Sequence, residues 1–403
     1  LRVPGMFRAV SWALYDFANT IFAINIISYH FAQWVTADMK GEDISYSFAF
    51  SASIFIAAVF MPFLGSLSDR RFGKKNFLII FTAFAVVFTN LIGYARGIVE
   101  GLLFFAVANF CYQLGAVFYG ALLPSVSKGY NVGRISGLGV GFGYFGAFIG
   151  LTVVRPFVEQ YGRSAAFTPT AILFLIFALP CLIFVKEPVR EPYFVTTSEK
   201  TNPFKFILSA FNDIKGEPSL KNFILSAYLY LNAVNAILVF VSVYARKAIG
   251  LTDPEIHNFF LISNIFAILS AFSCGALTDR FGAKRTLSSV LIIWSFALLA
   301  GLLSLNKNLF WIVGPLAGIA LASTWTAGRA LLVKIVPKEK IGFAFGMAGF
   351  VGSFSAITGP LIWGTIVWIL RPYGILRYKV AISALLLLII IGYIILQRVK
   401  VEE

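Results

Sequence analysis

Charge is what this sequence has least of. Only 13% of its 403 residues are Asp, Glu, Lys or Arg, against roughly 25% in an ordinary soluble domain. So few charges cannot dress the surface of a chain this long for water, so most of that surface must meet hydrocarbon. Histidine is nearly absent, with His30 and His257 alone. The three cysteines, Cys111, Cys181 and Cys274, lie far apart inside apolar runs. They show no metal-ligand spacing and read as small packing residues, which leaves the redox compartment open. No G-x-x-x-x-G-K-[ST] loop occurs, so no nucleotide-driven engine is encoded. Paired carboxylates and His/Asp/Glu metal sets are also missing. That argues against an integral-membrane enzyme, and neither a metal nor another cofactor is expected.

What is present is apolar. Hydrophobic residues make up 59% of the chain, 43 of them Phe, and the mean hydropathy is +0.84. A helix needs about 20 apolar residues to cross a bilayer core. Charged and Pro/Gly punctuation then cuts the chain into twelve predicted spans: 9–35, 45–67, 77–95, 100–127, 134–157, 165–186, 220–246, 255–277, 286–305, 308–335, 340–370 and 375–397. The first is long and carries polar residues, as a membrane span does and a cleaved signal peptide does not. One long polar connection, 187–219, carries Pro188, Pro192, Pro203 and Pro218. It separates a predicted six-helix bundle over 1–186 from a second over 220–403.

The net charge of +15 is not a nucleic-acid footprint, because the bases sit in short clusters between apolar runs. With both termini placed in the cytoplasm, the inner segments hold more than twice as many Lys and Arg as the outer ones, the asymmetry of the positive-inside rule.

The two halves repeat. Gly65-Ser-Leu-Ser-Asp69-Arg70-Arg71-Phe72-Gly73-Lys74-Lys75 follows span 2, and Gly275-Ala-Leu-Thr-Asp279-Arg280-Phe281-Gly282-Ala283-Lys284-Arg285 follows span 8. Ala121-Leu122-Leu123 near the end of span 4 recurs as Ala330-Leu331-Leu332 near the end of span 10. Both pairs share an offset of about 210 residues, the mark of an internal duplication. Spans 5 and 11 are both studded with glycine: Gly137, Gly139, Gly141, Gly143, Gly146 and Gly150 against Gly346, Gly349, Gly352 and Gly359. Small residues of this kind let helices approach closely and slide.

A G-x-x-x-D-R-x-G-basic-basic loop after spans 2 and 8 of a six-plus-six protein resembles the signature loop of the major facilitator superfamily. The resemblance runs end to end and implies two pseudo-symmetric six-helix bundles. The loop groups Gly65, Asp69, Arg70, Gly73, Gly275, Asp279, Arg280 and Gly282 are the candidate gate. A loop Asp at a helix end can meet a neighbouring helix N-terminus and latch the halves. Two departures stand out: Gly73 follows Asp69 by one residue more than Gly282 follows Asp279, and Ala283 replaces a usual base. Trp12-Ala13-Leu14-Tyr15-Asp16-Phe17-Ala18-Asn19-Thr20 resembles the opening of the vacuole-effluxer-like branch. So do Phe118-Tyr119-Gly120-Ala121-Leu122-Leu123-Pro124 and the set Arg329, Pro337, Phe345-Gly346, Phe354-Ser355-Ala356 and Gly359-Pro360. That branch includes an autophagy-related vacuolar amino-acid effluxer and many prokaryotic permeases.

An ionisable group inside a span is costly and marks function. Asp16 is the acid well inside a span and Arg329 the corresponding base. At ~100° per residue, Asn19 and His30 share the Asp16 side of span 1, while Asn25 projects roughly opposite. Span 7 carries Tyr228, Asn232 and Asn235 on a narrow arc. Span 4 carries Asn109, Tyr112, Gln113 and Tyr119, and span 10 carries Thr324, Trp325, Thr326 and Arg329. In the facilitator fold the first and fourth spans of each half line the cavity, so the resemblance directs attention to spans 1, 4, 7 and 10.

Asp16 stays open between gate salt bridge, substrate-amine contact and proton carrier. Arg329 stays open between substrate-anion binding, gate pairing and snorkelling to the lipid surface. The amides also have a plain role in holding helices together. His30 reads as an interfacial residue. The resulting expectation is a monomeric secondary transporter in a prokaryotic inner membrane. It would move a small solute, an amino acid or other zwitterion, with protons as a candidate coupling ion and membrane lipids as its surroundings. A carrier of larger amphiphiles is the alternative. A non-transporting sensor is disfavoured by the shortness of 187–219, and a channel by the repeat.

Overall fold

The computed structural model describes residues 5–41, 43–187, 216–304 and 307–401, with no strand among them. Among the described residues, twelve helices are long and apolar enough to cross a membrane. They are α1 (Gly5–Gln33), α2 (Ser45–Leu67), α3 (Lys74–Ile92), α4 (Ile98–Ala121), α5 (Val132–Tyr161) and α6 (Arg163–Phe184), then α7 (Pro218–Ile249), α8 (Asn258–Phe281), α9 (Ala283–Leu303), α10 (Lys307–Ile335), α11 (Lys338–Ile369) and α12 (Leu376–Leu396). Each coincides with one predicted span to within a few residues. The reason is simple: in hydrocarbon a backbone must satisfy its own hydrogen bonds, so every long apolar run becomes a helix. Large side chains left exposed along these helices, such as Phe84, Phe148, Ile176 and Leu269, suit a lipid surface.

The chain divides into two compact units, Leu1–Ala210 with Pro337–Gly349, and Phe211–Val336 with Phe350–Glu403. In the first, α1 packs on α5 and α6, α4 on α2 and α3, and α3 on α6. In the second, α7 packs on α12, α10 on α8 and α9, and α9 on α12. With α7 also meeting α11 through Asn232 and Gly359, every pairing of the first unit recurs in the second. The duplication seen in the sequence is thus a duplication of packing.

Sequence reading gives all of span 11 to the second half, but the start of α11 packs with the first unit. A Cβ on Gly342 would meet the Gly65 carbonyl, and one on Gly346 the Met61 carbonyl. Without side chains at these two positions, the α11 backbone lies directly on α2. Helix α1 departs from regular geometry. Its turns widen to π form over Ala23–His30 and again over Trp34–Asp38. The equivalent end of α7 does the same over Ala245–Ile249.

Candidate functional site

The two signature loops show how one inserted residue is absorbed. In the second, the helix runs regularly to Phe281 and ends at Gly282 with φ +90° and ψ +145°. In the first, Ser68–Phe72 forms a π turn before Gly73, which has φ +73° and ψ +150°. An extra residue in a helix is accommodated by one such widened turn. The two glycines therefore reach the same left-handed backbone, which side chains disfavour. The extra residue of the first copy is taken up in that π turn.

Around the first loop lies a buried charge cluster. Asp69 Oδ1 is 2.7 Å from Lys74 Nζ, with both side chains almost wholly enclosed. Asp69 Oδ2 accepts from the Phe343 N–H at 2.8 Å, in the first turn of α11. Glu187, at the end of the sixth span, accepts from the Lys74 backbone N–H at 2.7 Å. Its other oxygen lies 3.7 Å from Lys74 Nζ. A carboxylate there meets unpaired helix N–H groups and the positive end of the macrodipole. Lys74 and Glu187 were not singled out by sequence as members of this cluster. Lys74 looks like any membrane anchor, and its burial depends on α6 returning beside the loop. Of the other loop residues, Gly65 abuts α11, Gly275 is buried, Asp279 is half-buried, and exposed Arg280 lies over the Phe281 ring at 5.2 Å. The Arg70 side chain lies outside the described residues.

The motif in α1 and the stretch closing α4 meet. Trp12 Nε1 donates to the Tyr119 carbonyl at 3.0 Å, and its ring stacks on that of Tyr119 at 4.4 Å. Tyr15 also stacks on Tyr119, at 5.2 Å, and shares a 2.7 Å hydrogen bond with Thr82 of α3. These aromatics form a packed core between α1 and α4. Tyr119, a candidate for solute contact by sequence, has a ring only 1% exposed.

Asp16 is 8% exposed and Asn19 5%, both on the part of α1 that packs against α5. A Cβ on Gly143 would stand 3.7 Å from the Asp16 carboxyl carbon. Asn19 Oδ1 has no hydrogen-bond partner. Further along α1, Asn25 is fully enclosed with neither Oδ1 nor Nδ2 bonded, and His30 is buried with Nδ1 unbonded. A Cβ on Gly150 of α5 would stand 3.3 Å from Asn25 Nδ2. Asn25 therefore faces α5, as Asp16 does, although a regular projection turns it away. The side of α1 that meets α5 passes from Asp16 and Thr20 at Gly143, through Phe17 at Gly146, to Ile21 and Asn25 at Gly150, as it does when two helices cross at an angle. On α4, Asn109 donates to Ser53 Oγ of α2 at 2.8 Å while its Oδ1 lacks a partner. Tyr112 stacks on Phe22 at 4.6 Å, and Gln113 is half-buried.

The second unit treats its polar residues differently. Asn232 donates to the Tyr228 carbonyl at 2.7 Å, and its Oδ1 accepts from Thr358 Oγ1 at 2.6 Å. Ser355 Oγ lies 3.4 Å from Asn232 Nδ2, and Tyr228 OH 3.4 Å from Thr358 Oγ1. This closed network pins α7 to α11. Asn235 is half-buried beside it. On α10, Thr324 accepts from Trp294 Nε1 at 3.0 Å, and Thr326 bonds back to the Ala322 carbonyl. Trp325 is 38% exposed and Arg329 is half-buried one turn further on.

Comparison with known proteins agrees with this architecture. The family described as vacuole effluxer Atg22 like matches residues 33–403. The MFS-type transporter YxiO of Bacillus subtilis (strain 168) is 25% identical over 97% of this chain and 94% of its own length. The multidrug resistance protein MdtG of Serratia proteamaculans (strain 568) is 24% identical over 78% of this chain and 75% of its own. Among solved structures, the E. coli fucose:proton symporter FucP superposes with a TM-score of 0.74. It has 13% identity, over 100% of this chain and 99% of that one.

Proposed function

Because this chain belongs to the vacuole effluxer Atg22-like family of major facilitator transporters, we propose that it carries a small zwitterion or organic anion, foremost an amino acid, by alternating access. The observation that carries this reading is Asp16, a carboxylate enclosed on α1 beside Asn19, whose side-chain oxygen is unbonded. An acid at that depth is expensive and needs a compensating task. Arg329 on α10 is the opposite charge within a span, and its planar guanidinium suits a carboxylate. Each group is taken by itself: an amine suits the acid and a carboxylate suits the base, and an amino acid carries both. Protons are the proposed coupling ion, with Asp16 their carrier. That FucP is a proton symporter is consistent with this choice.

A second reading, transport of a larger drug-like amphiphile, has its own support. Trp325 is exposed one turn from Arg329, and MdtG is named for multidrug resistance. We place the protein in a prokaryotic plasma membrane as a monomer, with both termini in the cytoplasm. The charge bias between segments and the bacterial relatives support that placement.

A thermal-shift screen of purified protein separates the two readings, with amino acids and lysolipids as distinct panels. Stabilisation by lysolipids and by no amino acid would overturn the preferred solute. In proteoliposomes, Asp16→Asn is expected to abolish proton-driven uptake of the stabilising solute while sparing exchange. Equal loss of both would make Asp16 a binding or gate residue instead.

A further inference from the structure

Helices α9 and α12 leave a groove of about 300 Å³ on the second unit. Its walls are Ile292, Phe296 and Leu299 on one side and Leu386, Ile390 and Tyr393 on the other. On α9 the wall continues by helical spacing through Ser289 to exposed Arg285, on the same face as the groove residues. On α12 it continues to Gln397, next to exposed Arg398. The two helix ends are tied there. Lys284 Nζ donates to the Gln397 carbonyl at 2.8 Å, and Gln397 Nε2 donates to Ser288 Oγ at 3.0 Å. The groove thus has an apolar trough and a basic, hydrogen-bonding end. Its α9 wall rises ~10 Å from Ile292 to Leu299 at 1.5 Å per residue, room for part of an acyl chain.

We propose that this groove is a binding site for one anionic phospholipid, its acyl chain lying between α9 and α12 and its phosphate held by Arg285 with Lys284 and Arg398 beside it. The charge of the groove's end selects the headgroup. Guanidinium and ammonium groups at a membrane surface attract anionic lipid, and Arg pairs with phosphate oxygens in bidentate fashion. The trough selects a tail-bearing molecule over a free phosphate. Ser295 has its hydroxyl committed to the Leu291 carbonyl at 2.9 Å, so the groove floor offers a chain no unpaired polar group from that residue. The site uses none of the residues proposed to handle solute and stands whatever the solute is.

The test is native mass spectrometry of the detergent-purified full chain, titrated with phosphatidylglycerol, phosphatidylcholine and glycerol 3-phosphate. Phosphatidylglycerol is expected to be retained preferentially. Arg285→Gln should weaken its retention about fivefold, the worth of one surface base, without affecting phosphatidylcholine. Ser295→Trp, which fills the trough, should reduce phosphatidylglycerol binding while leaving the unfolding temperature near that of the parent. Arg371→Gln removes an exposed base elsewhere and should change nothing. Equal retention of the two lipids would overturn the proposal. So would unchanged binding in Arg285→Gln, equal loss in Arg371→Gln, or full displacement of lipid by glycerol 3-phosphate.

Discussion

The α1/α5 and α7/α11 pairs occupy equivalent places in the repeat, yet they are built on opposite principles. Both bring backbones together at glycine: a Cβ on Gly146 would collide with the Phe17 carbonyl, and one on Gly359 with the Asn232 carbonyl. Across the second seam, Tyr228, Asn232, Ser355 and Thr358 bond one another. Along the first, Asn19, Asn25 and His30 keep side-chain atoms unbonded although buried. Unmet hydrogen-bond capacity in a core costs about 1–3 kcal/mol per group. The second pair is therefore fastened by its polar groups, while the first carries them at a cost to stability. The costly set lies on the same helix as Asp16, where a wet or changing environment is useful to a carrier.

Breaking the fastenings should reveal this difference. The largest effect is expected from Asp69→Ala, which leaves Lys74 with only the longer Glu187 contact and uncaps the first turn of α11. Removing one partner of a buried ion pair costs about 3–5 kcal/mol, and thermal unfolding in detergent would register it. Next come Gly146→Ala and Gly359→Ala, each forcing two backbones apart at a cost of about 2–3 kcal/mol. Similar losses in the two variants would show that the seams share their steric logic.

The amides should then separate the seams. Asn232→Leu leaves Thr358 and Ser355 without their partner and is expected to cost about 1–2 kcal/mol. Asn25→Leu removes a side chain with no bonds to lose, so the unfolding temperature should hold or rise. Equal destabilisation by both would erase the contrast drawn here.

The smallest effect concerns the ends of the helices. Glu255 accepts from Lys307 Nζ at 2.8 Å and from the Thr252 backbone N–H at 2.7 Å, closing a capping box before α8. The first unit pins its own loop by an Arg163–Asp38 ion pair. The hydrogen bond from Lys307, and then those from Thr252, pull the Glu255 carboxyl down from 4.5 to about 2. A depressed carboxyl contributes stability that is present above its ordinary value and is lost as pH falls toward the lowered one. A small drop in unfolding temperature is therefore expected between pH 4.5 and about 2, and Lys307→Met should shrink that increment while the Thr252 hydrogen bonds keep part of it. The pair is half-buried and open to solvent screening, so the change will be slight.

Much of this was legible in the chain. Twelve spans follow from apolar run length, and the duplication from the spacing of Gly65 and Gly275. Asp16 and Arg329 stood out because charge inside a span is rare. Asn25 did not, since its facing depends on how α1 crosses α5, which leaves no periodic signal in the chain. Neither the meeting of Trp12 with Tyr119 nor the burial of Lys74 could be seen, because each depends on which helices become neighbours.

The sequence by itself determined the number of helices, their pairing into two sixes and the rarity of charge within them. Those properties follow from the cost of placing backbone and charge in hydrocarbon, which local composition reports directly. The tertiary structure alone decided which polar groups are paid for by a partner and which are left bare. It also decided that the start of α11 lies against α2, because contact partners are set by three-dimensional packing rather than by any residue's own chemistry.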